Sequence, residues 1–281
     1  MVLTRSRPAE EVVAVVGEDN LRLGDAADAD RLEAALAGID HVAFCAGGLL
    51  PAASERDPEL DRELTLGPVL AVLAALRDRP EVTLTYLSSG GTVYGEPERL
   101  PVRESDPTAP TSTYGSLHLA CEREIERARR DDGLRSRILR CSTVYGEHQQ
   151  PDRGQGAIVT FLHRIAREET IDLYGDGATI RDYVYAADVA RALVALIDRD
   201  EAPPILNVGS GEGTSLLDLL RLAEATVGQP ALINQHPERE FDIHQIVLDT
   251  TLLHETAEIE MTPLAAGVER THRWLTRREA A

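Results

Sequence analysis

Short apolar runs alternate with helix-length amphipathic segments through the first 141 residues, and this alternation constrains the fold more than any other feature. Met1–Thr4, Leu21–Gly24, His41–Ala46, Val82–Leu87 and Arg137–Cys141 read as strands. The segments between them, Pro8–Gly17, Asp28–Ala37, Asp57–Arg79 and Thr113–Asp131, read as helices, with Gly67-Pro68 a point of disturbance in the third. Pro8 opens a helix that Gly17 closes, and Gly38 ends the next, the usual asymmetry of helix boundaries. Strands separated by helices need crossovers, not hairpins, which implies an α/β fold: a doubly wound parallel sheet with helices on both faces. Ligands of such sheets sit beyond the carboxyl ends of the strands.

After Tyr145 the texture changes. A polar loop over 147–156 precedes helices at Ala157–Glu169, Asp188–Arg199, Ser215–Val227 and Pro263–Arg278 and short strands at Ile171–Tyr174 and Ile205–Val208. The expected organisation is an α/β body over 1–145 and mainly a small cap over 146–281, with strand and helix returns to the sheet at about 178–210.

Charge excludes several partners. The chain has 29 basic and 48 acidic residues, a net charge of −19, so nucleic acid and anionic membrane surfaces are not expected to bind. All the basic residues are arginine. Chemistry that needs a Schiff-base amine or a lysine base is thereby excluded. Three widely spaced cysteines, Cys45, Cys121 and Cys141, suit a reduced, cytoplasmic protein better than a disulfide framework. No run approaches the ~18 apolar residues of a membrane span, and the start MVLTRSRPAEE is not a secretory signal. His148, His236 and His244 have no metal-ligand spacing, so no metal is expected.

Two segments carry the chemistry. Ser88-Ser89-Gly90-Gly91-Thr92-Val93-Tyr94-Gly95 lies at the end of a predicted strand, and Tyr114-Gly115-Ser116-Leu117-His118 enters a predicted helix. The i, i+4 spacing sets His118 on the face of Tyr114. A phenol of pKa ~10 exchanges protons at neutral pH only where a neighbouring positive charge lowers that value. A third segment, Gly209-Ser210-Gly211-Glu212-Gly213, looks like a phosphate loop between a strand and a helix but has Thr214 where the last glycine of GxGxxG would stand.

The sequence resembles the extended short-chain dehydrogenase/reductase family, in particular its nucleotide-sugar epimerases and dehydratases of the UDP-glucose 4-epimerase type. The likeness runs from Met1 to about Trp274 through SSGGTVYG (88–95), TSTYG (111–115), TVYG (143–146), PDRGQG (151–156), YGDGATIRDYVYAADVA (174–190), LNVGSGEG (206–213) and EREFDIHQIVLDT (238–250). It implies a Rossmann-like sheet, an NAD or NADP cofactor, and an enzyme acting on a nucleotide sugar. Tyr114 would be the acid/base, assisted by His118, Ser89 and Thr92. Asp25, Arg5, Ala46, Gly47, Tyr114 and His118 would face the cofactor, with Arg5 and Arg7 favouring the 2′-phosphate form. Ser88 and Thr143 would meet the substrate, and Arg181 and Arg239 would grip its diphosphate. Helices 57–79 and 112–131 would form a homodimer contact.

The departures from the family pattern cluster around the cofactor. The family opens with a strand, a GxxGxxG turn and a helix, and this chain matches from the second strand onward, roughly thirty residues short of the pattern. The family's YxxxK is YxxxH here, a histidine that would need its proton to replace lysine. Gly90 stands at the family's usual serine, and Thr65 and Thr143 stand at usual asparagines. Two readings follow: an active epimerase, dehydratase or ketoreductase whose amino-terminal unit is missing from this sequence, or a complete protein that has lost dinucleotide chemistry. The second would serve as a sugar-nucleotide-binding module, a partner subunit or a cofactor-independent acid/base catalyst.

Overall fold

The computed structural model describes residues 1–151, 156–237 and 243–279. The expected alternation is present. In chain order the first part runs β1 (Val2–Thr4), α1 (Glu10–Val16), β2 (Leu21–Leu23), α2 (Ala29–Leu36), β3 (His41–Phe44), α3 (Pro51–Arg56), α4 (Pro58–Leu76), β4 (Thr83–Ser89), α5 (Gly90–Val93), α6 (Thr113–Asp131) and β5 (Arg135–Cys141). It continues through β6 (Thr143–Tyr145), α7 (Ala157–Ala166), β7 (Thr170–Tyr174), β8 (Ile180–Tyr185), α8 (Ala186–Leu196), β9 (Ile205–Val208) and β10 (Gly213–Ser215). It ends with α9 (Leu216–Val227), β11 (Leu232–His236), β12 (Gln245–Ile246), α10 (Thr251–Thr256) and α11 (Leu264–Glu279).

The chain forms two compact units. The first comprises Met1–Leu87 and Ser116–Ile138, the second Ser88–Gly115 and Leu139–Ala281. Strands β4 and β5 and helix α6 each run from one unit into the other.

In the first unit β1 pairs with β2 and β3 with β4, both in parallel. Local chemistry sets the helix ends. The Asp28 carboxylate accepts the backbone N–H groups of Asp30 and Arg31 at the start of α2, and Asp57 accepts that of Leu60 at the start of α4. Pro58 is then the first helical residue, where a missing N–H costs nothing. Helix α4 continues unbroken through Pro68 and buries Val69, Val72, Leu73 and Leu76. Strand β3 pairs only with β4 among the described residues. Its apolar sequence is typical of a strand covered on all sides, yet Ala43 is exposed, as are Cys45 and Ala46 beyond its end.

In the second unit β8 is the hub of a four-strand arrangement. It pairs in parallel with β6 and β12 and antiparallel with β10. Strands β7 and β11 form a separate parallel pair. Helices α7, α9 and α11 pack around Ile158, Leu162, Ile171, Leu219 and Val268, all nearly inaccessible to solvent. Among the described residues no helix is long and apolar enough to cross a membrane.

Candidate active site

The end of β4 and the first turn of α6 carry the predicted chemistry, and in the second unit backbone packing draws them together. Gly115, the residue after Tyr114, has so little room that a Cβ there would stand 3.0 Å from the Thr92 carbonyl oxygen and 3.2 Å from the Ser112 hydroxyl. The Gly115 N–H donates to that hydroxyl at 3.1 Å. The SSGGTVYG and TSTYG segments are therefore in contact through their backbones. Tyr114 is half-buried, Ser88 is buried, and Ser89 and Thr92 are half-buried, with the Thr92 hydroxyl donating to the Ser89 carbonyl at 3.3 Å.

Between the serines and Thr92 the two glycines differ. A Cβ on Gly90 would lie 2.7 Å from the carbonyl oxygen of Arg140 and 2.7 Å from a methyl of Leu248. Backbone on one side and core on the other leave no space for a side chain. A Cβ on Gly91 would meet only the Thr143 hydroxyl, at 4.0 Å. Thr143 thus lies beside the SSGGTVYG segment.

A buried polar network sits behind this cluster. Arg140 donates to the Tyr94 hydroxyl at 3.0 Å and lies over the Tyr94 ring at 4.9 Å, and Tyr94 donates to the Asn207 side-chain oxygen at 2.7 Å. The Asn207 amide donates to the carbonyls of Val102 and Asp249. Each member is satisfied, so the network fixes the end of α5 without leaving a reactive group.

His118 lies in the first unit. It is buried, and its Nδ1 is 2.8 Å from the Tyr86 hydroxyl of β4. Burial pushes its pKa down to about 4, against a smaller upward pull from the Asp61 carboxylate. At neutral pH the imidazole is uncharged. Asp61 is buried as well; one carboxylate oxygen accepts the Leu49 N–H at 2.7 Å and the Thr65 hydroxyl at 2.8 Å, and the other has no partner. Sequence reasoning missed Asp61 and Tyr86. Asp61 and Thr65 share an i, i+4 spacing that hints at the first contact, but nothing local pairs Tyr86 with His118.

The remaining predicted residues are more dispersed. Asp25 is half-buried, and its carboxylate accepts the Ala27 N–H at 2.9 Å. Arg5 is exposed; Arg7 is engaged by Glu10 and Glu18. Ala46 and Gly47 are exposed beyond β3, and a Cβ on Gly47 would meet nothing within 4 Å. Arg181 lies on β8, half-buried, with its guanidinium donating to the Ile180 carbonyl at 2.9 Å. Arg239 lies outside the described residues. No group of three or more metal-ligating side chains occurs among the described residues.

The glycine-rich loop at 209–213 already holds an anion of its own. The buried Asp182 carboxylate accepts N–H groups from Ser210 (2.8 Å), Gly211 (3.2 Å) and Leu248 (3.3 Å) and hydroxyls from Ser210 (2.7 Å) and Ser142 (3.1 Å). Amides that would otherwise cradle a phosphate are taken by this side chain. A Cβ on Gly209 would be 2.4 Å from Asp182, which explains the glycine there.

Residues 2–209 match the NAD dependent epimerase/dehydratase family. The chain belongs to that family. It is 30% identical over 216 residues to a UDP-glucose 4-epimerase of Mycolicibacterium smegmatis, covering 76% of this chain and 69% of that one. It is 32% identical over 166 residues to the dTDP-4-dehydro-6-deoxyglucose reductase of Escherichia coli, covering 59% of this chain and 52% of that one. The fold matches the UDP-glucose 4-epimerase of Thermus thermophilus, a structure with NAD, at a TM-score of 0.86 and 26% identity over 98% of each chain. The α/β architecture is thus the one found in epimerases.

The family's cofactor is NAD, and two positions of this chain depart from the lysine and serine of the family pattern. Residue 118 is a neutral imidazole bonded to Tyr86, not a cation. Residue 90 has no room for a hydroxyl-bearing side chain. Neither residue 118 nor residue 90 supplies the cation or the hydroxyl of that pattern.

Proposed function

We propose that this epimerase-family protein binds a nucleotide sugar and acts on it in the epimerase/dehydratase manner, with Tyr114 as the acid/base and with impaired use of NAD(P). The observation that supports this reading is the close approach of the Gly115 backbone to Thr92, which brings the TSTYG and SSGGTVYG segments together. In this reading Ser88, Ser89, Thr92 and Thr143 orient the sugar, and Arg181 and Arg239 take the diphosphate through charge-assisted hydrogen bonds. A neutral His118 supplies no positive charge that would lower the phenol's pKa.

A second reading has the chain bind the sugar nucleotide without any dinucleotide, as a binding module, a partner subunit or a cofactor-independent acid/base catalyst. The neutral His118–Tyr86 pair and the closed position 90 favour it.

Both readings keep the division of labour between a body over 1–145 and a substrate cap over 146–281. Both include a homodimer through α4 and α6; exposed Leu60 and Leu70 flank a groove of about 530 Å³ on α4. The net charge of −19 argues against nucleic acid as a partner, and the three free cysteines suit a cytoplasmic setting.

Calorimetric titration of the purified chain with UDP-glucose, dTDP-glucose, NAD and NADP tests the proposal. Saturable binding of a nucleotide sugar is the expected result, and its absence overturns both readings. Dinucleotide binding at micromolar concentration removes the second reading. Turnover unaffected by Tyr114→Phe removes the role given to Tyr114.

A further inference from the structure

A cavity of about 820 Å³ opens in the second unit between α8 and the segment that leads into α11, and none of the active-site residues borders it. Its size is that of a pocket for a small organic ligand. Helix α8 explains one wall. Val189, Ala192 and Leu196 face the core, as an amphipathic helix requires, but the opposite side is not polar: Ala190 and Val194, one turn apart, form a second apolar stripe, and Val194 is 64% exposed. An outward helical face is normally polar. The other wall carries Ile259 and Met261, from the 257–263 stretch that has no helix or strand structure.

Charge at the rim is uneven. The Arg191 guanidinium is already used, since it pairs with the buried Asp188 and donates to the Glu260 carbonyl at 3.0 Å. Arg270 differs. It makes no ion pair among the described residues; its side chain hydrogen-bonds Tyr185, and its guanidinium lies over that ring at 5.7 Å. That ring is itself anchored, its hydroxyl donating to the Glu147 carboxylate at 2.6 Å. Glu258 and Glu260 also border the cavity, but both are exposed and stay hydrated in water. The pocket therefore combines a mostly apolar interior with one positive group held in position by stacking.

We propose that this cavity is a second ligand site, for a small organic anion with a flat apolar body and a single acid group. The body would lie on Ala190, Val194 and Met261, and the carboxylate or sulfonate would meet Arg270. The site is independent of the reading given for Tyr114.

The probe is 8-anilinonaphthalene-1-sulfonate, which has both features, followed by fluorescence at fixed protein concentration. The wild type is expected to show one saturable site. Arg270→Ala should weaken it about tenfold or more, the loss of one charge-assisted hydrogen bond, and Arg270→Lys should recover part of that loss. Val194→Trp, which covers part of the apolar wall, should weaken saturable binding, whereas Val15→Asp, at an exposed valine of the first unit, should leave it intact. The uncharged analogue N-phenyl-1-naphthylamine should not respond to Arg270→Ala. Circular dichroism of each variant separates loss of the site from loss of the fold. No saturable binding in the wild type, equal binding in folded Val194→Trp, or indifference to Arg270→Ala would each overturn the proposal.

Discussion

The Tyr86 hydroxyl and the Nδ1 atom of His118 stand 2.8 Å apart, both side chains buried, and this pair decides what residue 118 can contribute. Burial holds the imidazole's pKa at about 4. In an unfolded chain the same group titrates near pH ~6.5. Between those values the unfolded chain binds more protons, so stability rises with pH there and is lost as pH falls towards the folded value. Urea unfolding at pH 7, 5.5 and 4.5 should show this slope in the wild type and a flatter one in His118→Gln. Equal slopes would show that His118 is not buried as a neutral base.

Tyr86→Phe removes the hydroxyl and leaves the imidazole's Nδ1 without that bond. The expected cost is about 1–3 kcal/mol, read as a lower urea midpoint with an unchanged m-value. Binding of UDP-glucose should be unaffected, because the proposal gives Tyr86 no part in holding the sugar. A large loss of binding would mean that this pair reaches the substrate.

The two adjacent glycines make a paired test. Gly90→Ser places a side chain against the Arg140 carbonyl and Leu248 and should destabilise the protein by about 1–3 kcal/mol through overpacking. Gly91→Ala, with only the Thr143 hydroxyl at 4.0 Å, should cost little. Thermal melts of the two variants give the comparison, and an equally stable Gly90→Ser would refute the packing argument.

Asp182→Asn replaces a carboxylate that accepts N–H groups at Ser210, Gly211 and Leu248 with a group that must point two donors at some of the same amides. A loss of about 2–4 kcal/mol is expected from the broken network. Hydrogen exchange should show faster opening of 209–213 than of α7. Unchanged protection of that loop would mean its shape does not depend on Asp182.

If Arg181 meets the diphosphate, Arg181→Ala should weaken UDP-glucose binding about tenfold or more and leave the weak binding of free glucose unchanged. Equal effects on both ligands would place Arg181 elsewhere.

The local elements of the fold were legible where the sequence carries its own stop and start signals. Asp28 and Asp57 cap helices as their position suggests, and Gly17 ends α1 with a φ of 82°. Helix α4 also passed through Gly67-Pro68, which read as a disturbance, because its buried face holds it on both sides of the proline. Strand β8 escaped notice because Asp182, Tyr183, Val184 and Tyr185 are all buried and show no alternation. Strands β10 and β12, of three and two residues, exist only through their pairing with β8.

The site was partly readable for a similar reason. TSTYG and SSGGTVYG could be picked out as motifs, whereas the close approach of Gly115 to Thr92 could be read only from the structure. The meaning of His118 was not readable, because it depends on Tyr86, 32 residues earlier in a strand that looks like ordinary core. Nor could the sequence say that the glycine-rich loop at 209–213 encloses the chain's own carboxylate.

The tight packing under Gly90 bears on how this lineage can change. A single substitution that placed a hydroxyl at that position would destabilise the protein before it yielded any chemical benefit. The β5 backbone at Arg140 or the bulk at Leu248 must give way first. A hydroxyl at position 90 therefore requires compensating room from its neighbours, so this site is locked by packing and not by chemistry alone.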